Sequence, residues 1–272
     1  MTPGLSPATL PMTRRSIVTW NINGIRARME HVESWLTQHQ PDVVCLQETK
    51  ADDEKFPAAS IEALGYRSAF AGQKSYNGVA ILARHTVEDV RIGFTGENNE
   101  EQKRLIAATV GGVRVVNVYF PNGQDLDSPK FQEKLDFYRR LRSYFDEYHD
   151  PQEPLVLVGD FNIAPDARDV FSVEEMTGQI HFSEPEHEIL AHLEEWGFVD
   201  VFRRFRPEEG HYSWWDFRQG AFRRNRGLRI DLVWATQSLI ERFTDCWIAR
   251  EERAKEKPSD HAPVVAEYAG MD

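Results

Sequence analysis

The chain is poor in cysteine and has no long apolar run. Cys45 and Cys246 are the only two cysteines in 272 residues, too few for a disulfide framework. Each lies in an apolar segment, which predicts buried free thiols and a reducing, cytoplasmic setting. No stretch of roughly 18 apolar residues occurs, so no transmembrane helix is expected. Residues Met1–Thr13 are rich in Pro, Thr and Ser but lack the charged start and apolar core of a secretory signal. They read as a disordered leader, followed by one domain over residues 14–270. Zinc motifs of the HExxH or CxxC type are missing. A surplus of positive charge is missing too: 32 Lys and Arg face 44 Asp and Glu, a net charge of −12. On that balance alone the protein should repel nucleic acid and anionic membranes. What is present excludes a disordered chain, because 41% of residues are hydrophobic and 11% aromatic.

The apolar residues fall into many short runs. Strands are predicted at 17–21, 42–47, 78–84, 104–110, 113–120, 155–158, 230–235, 243–249 and 264–268. Gly111-Gly112 between two of them is a hairpin signal. Val32, Trp35 and Leu36 have helical spacing, as do Phe131, Leu135, Tyr138, Leu141 and Phe145. A further helix is predicted from Pro185 to Trp196, with Ser183 as N-cap and Glu186 closing a capping box. Strands and helices do not alternate one for one, so two packed sheets covered by helices fit better than a simple parallel sheet. Val18-Thr19-Trp20-Asn21 and Val158-Gly159-Asp160-Phe161-Asn162 echo one another, as two related halves would.

The candidate chemistry sits where these runs end. Asn21 and Asn23, Gln47-Glu48, Tyr119 and Asn122, Asp160 and Asn162, Asp231, and Ser259-Asp260-His261 all follow or close apolar strands. Strand ends are where a rigid scaffold presents function. Glu, Asp and Asn side chains offer oxygen ligands, which suit a hard ion such as Mg²⁺, or Mn²⁺ in its place. A divalent ion, several carboxylates and one histidine suit hydrolysis of a phosphodiester.

Taken together, these segments resemble the endonuclease/exonuclease/phosphatase superfamily and, more narrowly, the exonuclease III group of abasic-site endonucleases. The match rests on Trp20-Asn21-Ile22-Asn23-Gly24-Ile25-Arg26, Leu46-Gln47-Glu48-Thr49-Lys50, Asn117-Val118-Tyr119-Phe120-Pro121, Gly159-Asp160-Phe161-Asn162-Ile163, Ser213-Trp214-Trp215-Asp216, Gly227-Leu228-Arg229-Ile230-Asp231 and Pro258-Ser259-Asp260-His261. The Glu48 and Ser259-Asp260-His261 elements alone also suit a phosphoinositide or sphingomyelin phosphodiesterase. The Trp-Trp and Gly-Leu-Arg-Ile-Asp stretches narrow the match to the DNA-repair branch. The resemblance implies a four-layered α/β sandwich and a Mg²⁺-dependent, monomeric enzyme. It would act on duplex DNA with abasic sites or blocked or recessed 3′ ends.

Residue by residue, the resemblance implies that Glu48 holds the metal, with Asp260, Asn23, Asp160 and Asn162 near it. It implies that Asp160 activates or orients water, and that Asn162, Asn21 and Tyr119 donate to the scissile phosphate. His261, oriented by Asp231, would meet the phosphoryl oxygens; the identity of the base stays open. Trp214, Trp215 and Leu228 would line a pocket for a base-less sugar, with one Trp packing inward because adjacent strand residues face opposite ways. His181 stands where the family usually has Gly or Ser in a DNA-facing loop, which predicts a bias toward 3′-end work. Between Arg203 and Arg229 eight arginines face three acids, a local +5 that leaves −17 elsewhere. This stretch is expected to track phosphates, Arg223 and Arg224 first, with Arg104, Lys130 and Asn122 on the groove's other side.

Overall fold

The computed structural model describes residues 13–96 and 102–271. Except for Thr13, the expected leader lies outside the described residues. Two six-stranded sheets pack face to face. The first has the order β11 (Phe243–Ile248), β12 (Val264–Ala269), β1 (Arg14–Asn21), β2 (Val43–Gln47), β4 (Val79–Ala83), β3 (Arg67–Ala71). The second runs β5 (Val87–Ile92), β6 (Leu105–Val110), β7 (Val113–Tyr119), β8 (Leu155–Asp160), β10 (Asp231–Thr236), β9 (Phe198–Asp200). Each sheet is antiparallel apart from one inner parallel pair, β1 with β2 and β7 with β8.

Read from β11 and from β9, the two sheets show the same succession of pairings. The central strands β1 and β8 each pair antiparallel on one side and parallel on the other. The sequence echo that ends in Asn21 and Asn162 therefore marks equivalent strands in two halves of like topology.

Alternation places one set of strand residues between the sheets. Ile17, Cys45, Ile81, Ile106, Val158 and Val233 belong to that shared core. The opposite faces are covered by helices. Trp35 and Leu36 of Met29–His39 pack on the first sheet, and Pro129–Tyr148 with Glu184–Trp196 covers the second. Helix, sheet, sheet, helix makes the four-layered α/β sandwich. Both thiols are buried and free. Among the described residues, no helix is long and apolar enough to cross a membrane.

Three strands escape the hydrophobic pattern: β3, β5 and β9. All lie at sheet edges, where one side needs no partner, and β5 (Val-Glu-Asp-Val-Arg-Ile) carries charge. The Gly111-Gly112 turn forms with φ of 55° and 78°, as a tight hairpin requires. Gly159 has φ of 151°, and a Cβ there would lie 1.8 Å from the Val118 carbonyl oxygen. Only glycine lets β8 approach β7 so closely just before Asp160.

Candidate active site

The C-terminal ends of β1, β2, β7 and β8 meet the start of β10 and the Ser259–His261 turn at one end of the sandwich. Asn21 Nδ2 donates to Glu48 Oε1 at 2.7 Å and to Asp160 Oδ2 at 2.9 Å, so one amide joins residues from opposite sheets. Both of its amide hydrogens are thereby used. Asn21, expected to donate to the phosphate, ties the two carboxylates together in this geometry. Behind it Gln47 Nε2 donates to Thr19 Oγ1 at 2.9 Å and to Asn117 Oδ1 at 2.7 Å, a second polar link between the sheets. His261 Nδ1 lies 2.8 Å from Asp231 Oδ2, and its Nε2 lies 3.8 Å from Asp160 Oδ2. Since a carboxylate only accepts, Nδ1 carries a proton. Ser259 Oγ holds the turn, donating to the Asn21 carbonyl at 2.7 Å and accepting from His261 N.

Several of these residues sit in left-handed backbone conformations: Asn23 (φ 47°), Glu48 (50°), Lys50 (51°) and Asn162 (52°). Such strain costs of order 1–3 kcal/mol each and gathers where side chains must be aimed. Asp160 Oδ1 accepts from Asn162 N at 3.0 Å, an Asx turn that fixes the backbone just after β8. Asn162 Nδ2 donates to the Phe120 carbonyl at 3.0 Å, and its Oδ1 accepts from Asn122 at 3.2 Å.

The carboxylates are driven apart in acidity. Burial raises the pKa of Asp160, with like charge from Asp231 and Glu48 adding to it; His261 and the Asn21 hydrogen bond pull the other way. Glu48 ends below its ordinary value because Lys50 and Asn21 outweigh burial. Asp260 also ends low, burial being outweighed by His261, Trp214 and Asn23. Burial alone would depress His261, but Asp231 and Asp160 hold it well above the ordinary imidazole range. Tyr119 stays a neutral donor, pushed up by burial and by Glu48 and Asp160. A carboxylate with raised proton affinity beside two with lowered affinity is the separation expected of an acid–base site.

Glu48, Asp160 and His261 offer ligand atoms that all lie within 4.8 Å of one another, the one such group among the described residues. Asp231 Oδ1 is buried without a hydrogen-bond partner, and the Lys50 ammonium sits 2.6 Å from Glu48 Oε2. This surplus of negative charge, presented as oxygen ligands, fits a hard divalent cation. Asp260 and Asn23 stand beside the group. Asn23 Nδ2 donates to Asp260 Oδ1 at 2.8 Å, and Trp214 Nε1 donates to Asp260 Oδ2 at 3.0 Å. Asp260, Asn23 and Asn162, expected near the ion, stand at the edge of this group, each with a protein hydrogen-bond partner.

A cavity of about 640 Å³ adjoins these groups, lined by Trp214, Leu228, His181, Asn122, Phe171 and Arg224 among others. Trp214 exchanges backbone hydrogen bonds with Leu228, while Trp215 N donates to the Asp260 carbonyl. The pocket wall is thereby tied to the Asp260-His261 turn. Trp215 does not line the cavity. It is fully buried with Tyr212, Ala221 and Ala262, and its Nε1 donates to Asn225 Oδ1 at 3.3 Å. The adjacent pair divides, Trp214 lining the cavity and Trp215 packing inward, as alternation along an extended segment predicts. Arg104, Lys130, Tyr119 and Asn122 share a neighbouring cleft of about 610 Å³.

The arginine-rich stretch is less available than its charge suggests. Arg229 is fully buried on Asp169 and Asp200, and Arg203 is also held by Asp169. Arg204 pairs with Glu241, Arg206 with Asp245, Arg218 with Asp216 and Arg226 with Glu175. Among the described residues, Arg223 and Arg224 are the two members of the stretch without an ion-pair partner. Reasoning from strand ends finds Gln47 and Ser259 but misses other residues that hold the site: Asn117, Lys134 and Glu186. Of these only Glu186 had a local sequence signal, its capping box.

The Endonuclease/Exonuclease/phosphatase family matches residues 18–261. Exodeoxyribonuclease III of Haemophilus influenzae is 40% identical, over 92% of this chain and 98% of its own length. Among solved structures, the 3′ phosphatase NExo from Neisseria bound to product DNA hairpin superposes with a TM-score of 0.89 at 42% identity, covering 93% of this chain and 99% of that one. An AP endonuclease from Archaeoglobus fulgidus does so with a TM-score of 0.90 at 40% identity, with the same coverage. The chain belongs to the endonuclease/exonuclease/phosphatase family and, within it, to the exodeoxyribonuclease III group.

Proposed function

We propose that this protein is a Mg²⁺-dependent DNA-repair phosphodiesterase that removes 3′-phosphates, trims 3′ ends and incises abasic sites. The observation that carries the reading is the constellation of Asn21, Glu48, Asp160, Asp231 and His261, closed by hydrogen bonds across the two sheets. Glu48 and Asp160 would hold the ion. When bound, the ion offsets charge on the phosphoryl oxygens. Asp160, the carboxylate with raised proton affinity, takes the proton of the attacking water. His261, kept cationic by Asp231, donates to a phosphoryl oxygen through Nε2. Tyr119 and the remaining amide hydrogen of Asn162 donate to the same group. Trp214 and Leu228 accept the base-less sugar, and Arg223, Arg224, Arg104 and Lys130 meet the backbone. Cytoplasmic location and a monomeric state belong to the same proposal, the former supported by two buried free thiols.

His181 bears on the balance among substrates. It lines the cavity beside Asn122, where an uninterrupted strand would pass. The 42% identity with the 3′ phosphatase NExo from Neisseria supports a bias toward 3′ ends. The test is a panel of duplexes bearing a nick with a 3′-phosphate, a recessed 3′ end or an internal abasic site, given to wild type and His181→Gly. The bias predicts that internal incision rises in the variant relative to 3′-phosphate removal. Equal incision by both proteins would sink the role of His181. No turnover of any DNA substrate would sink the function.

A further inference from the structure

A lysine and a glutamate on two different helices are buried together behind the pocket. Lys134, on Pro129–Tyr148, and Glu186, on Glu184–Trp196, both have side chains with 0% exposure. The Lys134 ammonium has three N–H bonds and three acceptors: the Asn122 carbonyl at 3.2 Å, the Asn162 carbonyl at 2.7 Å and Glu186 Oε1. Glu186 Oε1 also accepts from His181 N at 3.0 Å, while Oε2 accepts from Ser183 N at 3.0 Å and Ser183 Oγ at 2.7 Å. A capping box needs only the Ser183 contacts and is normally satisfied at the surface. Burying the carboxylate against an ammonium goes beyond what the helix start requires. Buried pairs often add no stability over apolar residues of similar volume. Stability alone therefore gives no reason for this one.

What the pair does is hold three loops to one point. The loops carry Asn122 after β7, Asn162 after β8, and His181 before the helix Glu184–Trp196. Their side chains close on one another above the pair. Asn122 Nδ2 meets Asn162 Oδ1 at 3.2 Å and His181 Nε2 at 3.4 Å, and His181 Nδ1 lies 2.6 Å from the Asn162 carbonyl. Since that carbonyl only accepts, Nδ1 carries the imidazole proton and Nε2 receives the Asn122 amide. Lys134 and His181 thus grip the same carbonyl oxygen from two sides.

We infer that the Lys134–Glu186 pair is a positioning unit that fixes Asn122, Asn162 and His181 and so sets the preference of this site for 3′ ends over internal abasic sites. The inference rests on the exonuclease III reading above. Its test uses Glu186→Gln, Lys134→Met and the double variant. Thermal melting is measured alongside 3′-phosphate removal and internal abasic incision. Each single variant leaves one buried group without its partner and should melt lower. The double variant removes both charges and should recover most of the loss. In all three, the ratio of 3′-phosphate removal to internal incision should fall about tenfold, because the loops are no longer fixed. A double variant that melts like wild type yet keeps the lowered ratio separates positioning from stability. If the ratio follows the melting temperature, or stays at the wild-type value in the folded double variant, the inference is overturned while the exonuclease III reading stands. If wild type acts on neither DNA, both fall. Should the single variants not fold, the double variant carries the test.

Discussion

His181 has φ of 75°, in the left-handed region that glycine enters without strain, and its imidazole is buried. Burial lowers its pKa to about 4, with the Lys134 charge and His261 adding, while the Asn162 carbonyl and Glu186 oppose. The folded state therefore binds this proton less readily than the unfolded chain, whose histidines titrate near 6.5. The resulting stabilisation is complete above about 6.5 and is lost as pH falls toward about 4, up to about 3 kcal/mol in all. Thermal melts from pH 7 to pH 4 should show a shallower decline for His181→Gly than for wild type; parallel curves would remove His181 as the cause. The two tryptophans give a second contrast at this scale. Trp215→Ala should cost about 3–5 kcal/mol, because the ring is fully buried. Trp214→Ala, at a half-exposed position, should cost less stability but lose the pocket wall and its hold on Asp260. Denaturant melts and abasic-site binding distinguish the two.

At the scale of elements, the loop from Asp216 to Arg226 and the segment that begins at Gly227 have separate tasks. Arg223 and Arg224 are its unpaired charges. Reversing both to Glu should weaken duplex binding and flatten its dependence on salt by about two in logarithmic slope. Arg229→Met should leave that slope unchanged and instead destabilise the protein by about 3–5 kcal/mol, since buried Asp169 would keep only Arg203 and Asp200 would lose its ion-pair partner. Titrations of duplex binding against salt check both. In the sequence the arginines look alike because charge is visible there and, Asp216 beside Arg218 apart, the partners Asp169, Glu175, Asp200, Glu241 and Asp245 lie 29 or more residues away. Edge strands hide for a related reason, as β3, β5 and β9 have neighbours on one side only and need no regular apolar pattern. The central strands and the two long helices were legible because burial on a defined face imposes a period on the sequence. Glu48, Asp160, Asp231 and His261 were legible because each is a polar residue where an apolar run starts or stops. Lys134 was not, and Glu186 only as the close of a capping box: a charged residue on an amphipathic helix reads as solvent-facing, so their burial together stayed hidden.

For the molecule as a whole, the net charge of −12 gives no guide to the partner. Part of the acidity is the site itself, where Glu48, Asp160, Asp231 and Asp260 gather; part neutralises arginines that would otherwise bind phosphate. Of the arginine-rich stretch, only Arg223 and Arg224 stay without an ion-pair partner among the described residues, so undamaged duplex should be held weakly and released quickly. The two halves of like topology meet at Asn21, Glu48 and Asp160, which makes the catalytic geometry a property of how the sheets pack. The most direct test is the single-turnover release of phosphate from a nicked duplex bearing a 3′-phosphate, followed with Mg²⁺, with a chelator, and in Asp160→Asn. Release should stop with chelator and return with added Mg²⁺, and in Asp160→Asn it should fall about 100-fold or more with DNA affinity kept. Release that continues without a divalent ion, or that Asp160→Asn leaves at the wild-type rate, would contradict this account.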